Sequence, residues 1–184
     1  MVSARLSPLP QLINTNIPVT TRARPVLITK RRFSPSLSQT PIIMSSNPKI
    51  SCQCGAISLT APLPSPLFSY ACHCLQCRAQ SASAFGISYI FPAADFWPPS
   101  DPATRQGLSL WTRPTDAGNT LECWFCKVCG VRVVHRGILP DGTPKPTVSV
   151  KGGCVEGVSL EGVKHIWTRT ALVDVPEGSA LGEP

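Results

Sequence analysis

Cys72, Cys74 and Cys77 place three thiols within six residues, with His73 between the first two. Thiolates at such spacings are chelators, and four of them close a tetrahedral zinc site with zinc–sulfur distances of about 2.3 Å. Three protein sulfurs leave one position open, as in catalytic rather than structural zinc. Three thiolates around Zn²⁺ carry a net charge of about −1 and can accept a fourth soft ligand. A thiol bound there is deprotonated, and the thiolate is the nucleophile. The chemistry expected is therefore delivery of a small thiol to an electrophile, or the reverse, cleavage of a carbon–sulfur bond. His73, Cys123, Cys154 and an exogenous ligand (water or a thiol) are the candidates for the fourth position. If a side chain fills it, the site is a second structural staple.

A second constellation has a different character. The stretches 52-CQCG-55 and 126-CKVCG-130 present Cys52, Cys54, Cys126 and Cys129, each pair followed by a glycine. Two pairs make a four-sulfur structural zinc site. Cysteines two apart on a straight strand share a face but lie too far apart to grip one ion. The strand must break there, and a following glycine takes the positive φ that such a curl requires. With Cys54 and Cys126 72 positions apart, this site would tie distant parts of one domain together.

The elements that must position these thiols read as strands. The runs 56–60, 67–71, 84–91, 107–113, 119–125, 131–136, 146–151 and 164–170 are short, with alternating or β-branched character. Turn chemistry separates them, at 98-PPSDP-102, 116-DAGN-119, 140-PDG-142 and 161-EGV-163. Residues 93–97 read as a single helical turn, and no stretch of about 12 residues shows helical periodicity. The expected class is all-β, with one or two antiparallel sheets.

The charge of +7 over 184 residues is unevenly placed. Residues 1–50 hold seven cations and no acid, and the rest of the chain balances ten cations against ten acids. A neutral domain offers no clustered Lys and Arg for nucleic acid. No 18-residue apolar run predicts a membrane helix. The nine cysteines lack the apolar leader that would accompany a secreted disulfide framework. The organisation expected is a disordered basic tail or targeting segment over 1–48, a zinc-binding β-domain over 49–176 and a flexible tail over 177–184. The compartment expected is cytoplasmic, or mitochondrial if residues 1–43 are a transit peptide ahead of Met44.

The stretches 52-CQCGAI-57, 72-CHCLQCRAQSASAFG-86, 125-FCKVCG-130, 148-VSVKGG-153 and 165-HIWTR-169 together resemble the glutathione-dependent formaldehyde-activating enzyme family, also called the centromere protein V family. The resemblance covers residues 50–176. It implies an all-β fold of several small antiparallel sheets stapled by zinc, like that of a zinc-binding chaperone of Rab GTPases, and two zinc ions. One would be structural, on Cys52, Cys54, Cys126 and Cys129; the second would sit on Cys72, Cys74 and Cys77, which become the catalytic residues. The implied reaction joins glutathione and formaldehyde, formally a carbon–sulfur lyase reaction. The partners are then a small thiol and a small aldehyde. The alternative is a non-enzymatic zinc-stapled module that binds a protein partner.

A tripeptide with two carboxylates calls for cations. Arg78, Lys127, Arg132, Arg136, Lys151 and Arg169 are available, with Arg78 and Lys127 read as offsetting thiolate charge. His135 and His165 are read as structural and Trp167 as core.

Overall fold

The computed structural model describes residues 46–157 and 159–179. The expected tail over 1–48 lies outside them except for 46–48, as does the C-terminal segment beyond 179.

Among the described residues, nine strands and two short α-helices follow one another. They are β1 (Lys49–Ser51), β2 (Ser58–Thr60), β3 (Phe68–Cys72), α1 (Leu75–Ser81), β4 (Gly86–Pro92), α2 (Pro102–Gln106), β5 (Leu108–Pro114), β6 (Thr120–Cys126), β7 (Arg132–Ile138), β8 (Thr147–Lys151) and β9 (Lys164–Ile166). The all-β class holds. The strands gather into two sheets, a two-stranded β1-β2 and a seven-stranded β5-β6-β7-β8-β4-β3-β9. All pairings within the large sheet are antiparallel except β9 with β3, which is parallel. The long connection from β8 allows β9 to arrive in the same direction as β3.

Register explains the core. Tyr89 faces Val150, Phe91 faces Val148, and Val134 pairs with both Val150 and Trp124. Because side chains alternate across a strand, these residues share one face. Ile50 and Ile57 of the small β1-β2 unit belong to the same buried cluster. Phe91, Ile50 and Ile57 are completely buried, each contributing about 1.5–3 kcal/mol over an exposed position.

The opposite face of the same strands is polar yet enclosed. There Tyr70 pairs with Ser88, Ser88 with Lys151, Ser149 with His135, and His135 with Cys123. Ser88, His135, Lys151 and Cys123 are all buried. Cys72, opposite Gly86, ends this polar row on β3. One sheet therefore holds an apolar core on one side and carries the first thiol of the trio on the other.

Three local readings are corrected. The strand expected over 164–170 stops at Ile166, because Trp167 adopts a left-handed conformation (φ +57°) and a 3₁₀ turn follows. That break leaves Trp167 half-buried, outside the core. Asp101 and Pro102, read as part of a turn, start α2: the Asp101 carboxylate accepts from Thr104 N–H at 2.7 Å and Pro102 takes the first helical position.

Candidate metal centres and their surroundings

The four-cysteine cluster forms where β1 ends. A turn after Cys52 lets the chain double back at Gly55 (φ +77°), and a second turn closes at Gly130 (φ +73°). Both glycines supply the curl expected of them. Cys52, Cys54, Cys126 and Cys129 converge with their sulfurs all within 4.8 Å of one another. The Sγ separations Cys52–Cys54 and Cys54–Cys126 are 3.6 and 3.8 Å. A tetrahedron with 2.3 Å metal–sulfur bonds has edges of about 3.8 Å, so this donor set fits one zinc-sized ion. Backbone N–H groups support the sulfurs: Ile57 donates to Cys52 at 3.2 Å and Val128 to Cys126 at 3.4 Å. The Val131 and Cys54 backbone N–H groups draw the Cys129 thiol down to about 6, toward the thiolate a metal needs.

The trio forms at the junction of β3 and α1. Cys72 is the last residue of β3, Cys74 caps α1, and Cys77 lies in its first turn. The Cys74 sulfur accepts from Cys77 N–H at 3.4 Å, so the capping bond and the shared site are one arrangement. All three sulfurs lie within 4.8 Å of one another. Among the described residues, no other His, Cys, Asp or Glu joins this group. Hydrogen bonds from Cys72 and Cys77 hold the Cys74 thiol far below the ordinary range, and the same contacts push Cys72 up. That donor set is suited to a soft divalent ion.

The candidates for the fourth position are elsewhere. His73 is fully buried and points to the C-terminal segment, with Nε2 2.9 Å from His165 Nδ1. Its ring stacks on His165 and tilts against Phe85. Cys123 sits opposite His135 in the sheet. The Cys154 thiol donates to Arg132 O at 3.7 Å, and burial pushes it up to about 11. All nine cysteines are free thiols.

With this geometry in view, the sequence model of the glutathione-dependent formaldehyde-activating enzyme family matches residues 47–170. The chain belongs to that family. The match takes in both cysteine clusters and every strand of both sheets. No curated protein matches the chain. Membership ties the protein to glutathione and formaldehyde chemistry, and the two clusters give a family member places for metal ions. No helix of the described residues is long and apolar enough to cross a membrane.

The cations sort themselves in this family member. Arg78 Nη1 donates to Thr170 O, Lys127 Nζ to Gln106 O and Arg136 Nε to Lys145 O. Lys151 and Arg132 both feel the Cys77 thiol electrostatically, Arg132 after that of Cys123. Sequence reading placed both on strands, among six cations available to a carboxylate, without singling them out. The VSVKGG register held a signal: Lys151 alternates with buried Val148 and Val150, so it faces the side of the sheet away from the apolar core. Burial pushes the Lys151 ammonium down, and the thiols of Cys77 and Cys72 oppose that push.

Proposed function

We propose that the chain is a carbon–sulfur lyase that reversibly adds a small thiol, glutathione foremost, to formaldehyde or a similar small aldehyde. Residues 49–176 are the working unit. The observation that carries the reading is the trio: three thiols gathered with no fourth side-chain ligand beside them among the described residues. Cys52, Cys54, Cys126 and Cys129 would hold a structural zinc, and Cys72, Cys74 and Cys77 a second one. Bound to the trio, zinc would supply an open coordination position and a lowered thiol pKa.

The chain's own part is positional. Cys72, Cys74 and Cys77 fix three corners of the site, and the His73–His165 contact fixes the turn that carries them. In the addition, the substrate sulfur gives an electron pair to the aldehyde carbon. The carbonyl π pair moves to oxygen, which takes up the proton the thiol gave up. The product is a hydroxymethyl thioether, and reversal breaks the same carbon–sulfur bond.

The test is to load the full chain with zinc, add glutathione and formaldehyde, and follow S-hydroxymethylglutathione by NMR. Acceleration over the uncatalysed reaction is expected. No acceleration at full zinc occupancy removes this reading for this substrate pair.

A further inference from the structure

A cavity of about 900 Å³ opens beside α1, within the roughly 300–1,000 Å³ range of small-ligand sites. Gln80, Ser81, Phe85, Arg132, Lys151 and Gly153 are among its walls. Two of its lining residues are cations and none is an acid. The three clustered thiols are not on its wall, and Lys151 joins cavity and trio. The Lys151 Nζ lies 3.2 Å from the point a side-chain carbon on Gly86 would occupy, and Cys77 Cβ lies 3.3 Å from the same point. The missing side chain at Gly86 is what lets the ammonium come up to the thiol cluster.

Neither cation has a carboxylate partner among the described residues. Lys151 is 6 % exposed, and among the described residues its ammonium bonds Ser88 Oγ at 3.3 Å and no carboxylate. The half-buried Arg132 guanidinium stands 5.7 Å from the centre of the Trp111 ring and has no carboxylate partner among the described residues. An ammonium offers three donors and a guanidinium five. Buried charge is costly unless it is paired.

We propose that Lys151 and Arg132 form an anion subsite that binds a carboxylate of the incoming thiol. The inference rests on the lyase reading above and adds to it the residues that would recognise the thiol's carboxylate. Its sulfur goes to the trio and its carboxylate into the cavity, with Lys151 between the two.

S-methylglutathione separates this claim from the chemistry, because it keeps both carboxylates and has no thiol. Titration calorimetry on the zinc-loaded full chain should show binding. Lys151→Met and Arg132→Gln should each weaken it by about 10- to 100-fold, as expected for charge-assisted hydrogen bonds. The diester of S-methylglutathione should bind the unaltered protein as weakly as the acid binds the variants. Circular dichroism and zinc content should match the unaltered protein in Arg132→Gln. The subsite is overturned if the unaltered protein does not bind S-methylglutathione, if the diester binds as well as the acid, or if Arg132→Gln binds undiminished. Loss of zinc from Lys151→Met together with undiminished binding by Arg132→Gln has the same effect, since Lys151 is then only a counter-charge to the thiols. Adduct formation that persists while binding is unaltered in the variants sinks the subsite and leaves the lyase reading standing. Tight S-methylglutathione binding without adduct formation does the reverse.

Discussion

His73 and His165, 92 residues apart, stack with ring centroids 5.1 Å apart and share a hydrogen bond of 2.9 Å. The backbone repeats the link: His73 N–H donates to Ile166 O at 3.0 Å, and Thr170 Oγ1 donates to His73 O at 2.9 Å. The residue between two thiols of the trio is thereby fastened to the C-terminal segment. His165→Ala should leave the buried His73 ring unpaired, a loss of about 1–3 kcal/mol. The expected outcome is a trio that loses zinc to a chelator faster while the four-cysteine site retains it. Competition titrations read both, and equal retention at the two sites would deny the fastening role.

The two clusters should respond oppositely to mutation. Structural zinc contributes about 10–16 kcal/mol in small peptides, comparable to the whole 5–15 kcal/mol stability of a domain. Cys126→Ser should therefore abolish cooperative unfolding and near-ultraviolet dichroism. Cys74→Ser should keep both and stop adduct formation. A folded, active Cys126→Ser protein would contradict the structural assignment.

Acid should destabilise the domain in a defined window. Burial holds His135 well below its usual value of 6.5 and lowers His73 as well. Unfolding lets each take up a proton that the folded state refuses. Stability is thus fully present above 6.5 and is lost as pH falls below it, by at most about 1.4 kcal/mol per pH unit per histidine. His135→Gln should flatten this slope, measured as denaturant midpoints at about pH 7.5 and 5.5. An unchanged slope would place the acid sensitivity elsewhere.

Gly86→Ala tests the crowding between Lys151 and the trio. The added carbon would stand 3.2 Å from Lys151 Nζ, 3.3 Å from Cys77 Cβ and 3.4 Å from Cys77 O. The fold should survive, because the ammonium is the flexible end of its side chain. Adduct formation should fall by about tenfold as the ammonium is displaced. An undiminished rate would show that its position does not matter.

The metal-type spacings and most strands were legible in the sequence because both are local patterns. Cys52, Cys54 and Gly55 announce their turn by type, and alternation marks β4 and β8. The helix α1 was not legible, since seven residues are too few to display a 3.6-residue period and Cys74 is an unusual cap. Nor was the parallel β3-β9 pairing, which depends on where a long connection delivers three residues. Lys151 was visible as a strand residue, but its nearness to the trio depends on β4 passing between them at Gly86. The His73–His165 pair likewise exists only once β9 lies beside β3.

The central claim is that the trio leaves a metal corner for the substrate's sulfur. X-ray absorption at the zinc edge of the two-zinc protein reads it directly. The account predicts an average of about 3.5 sulfurs per zinc before thiol is added, rising to about 4 with glutathione. An average of four from the outset, unchanged by glutathione, would contradict it.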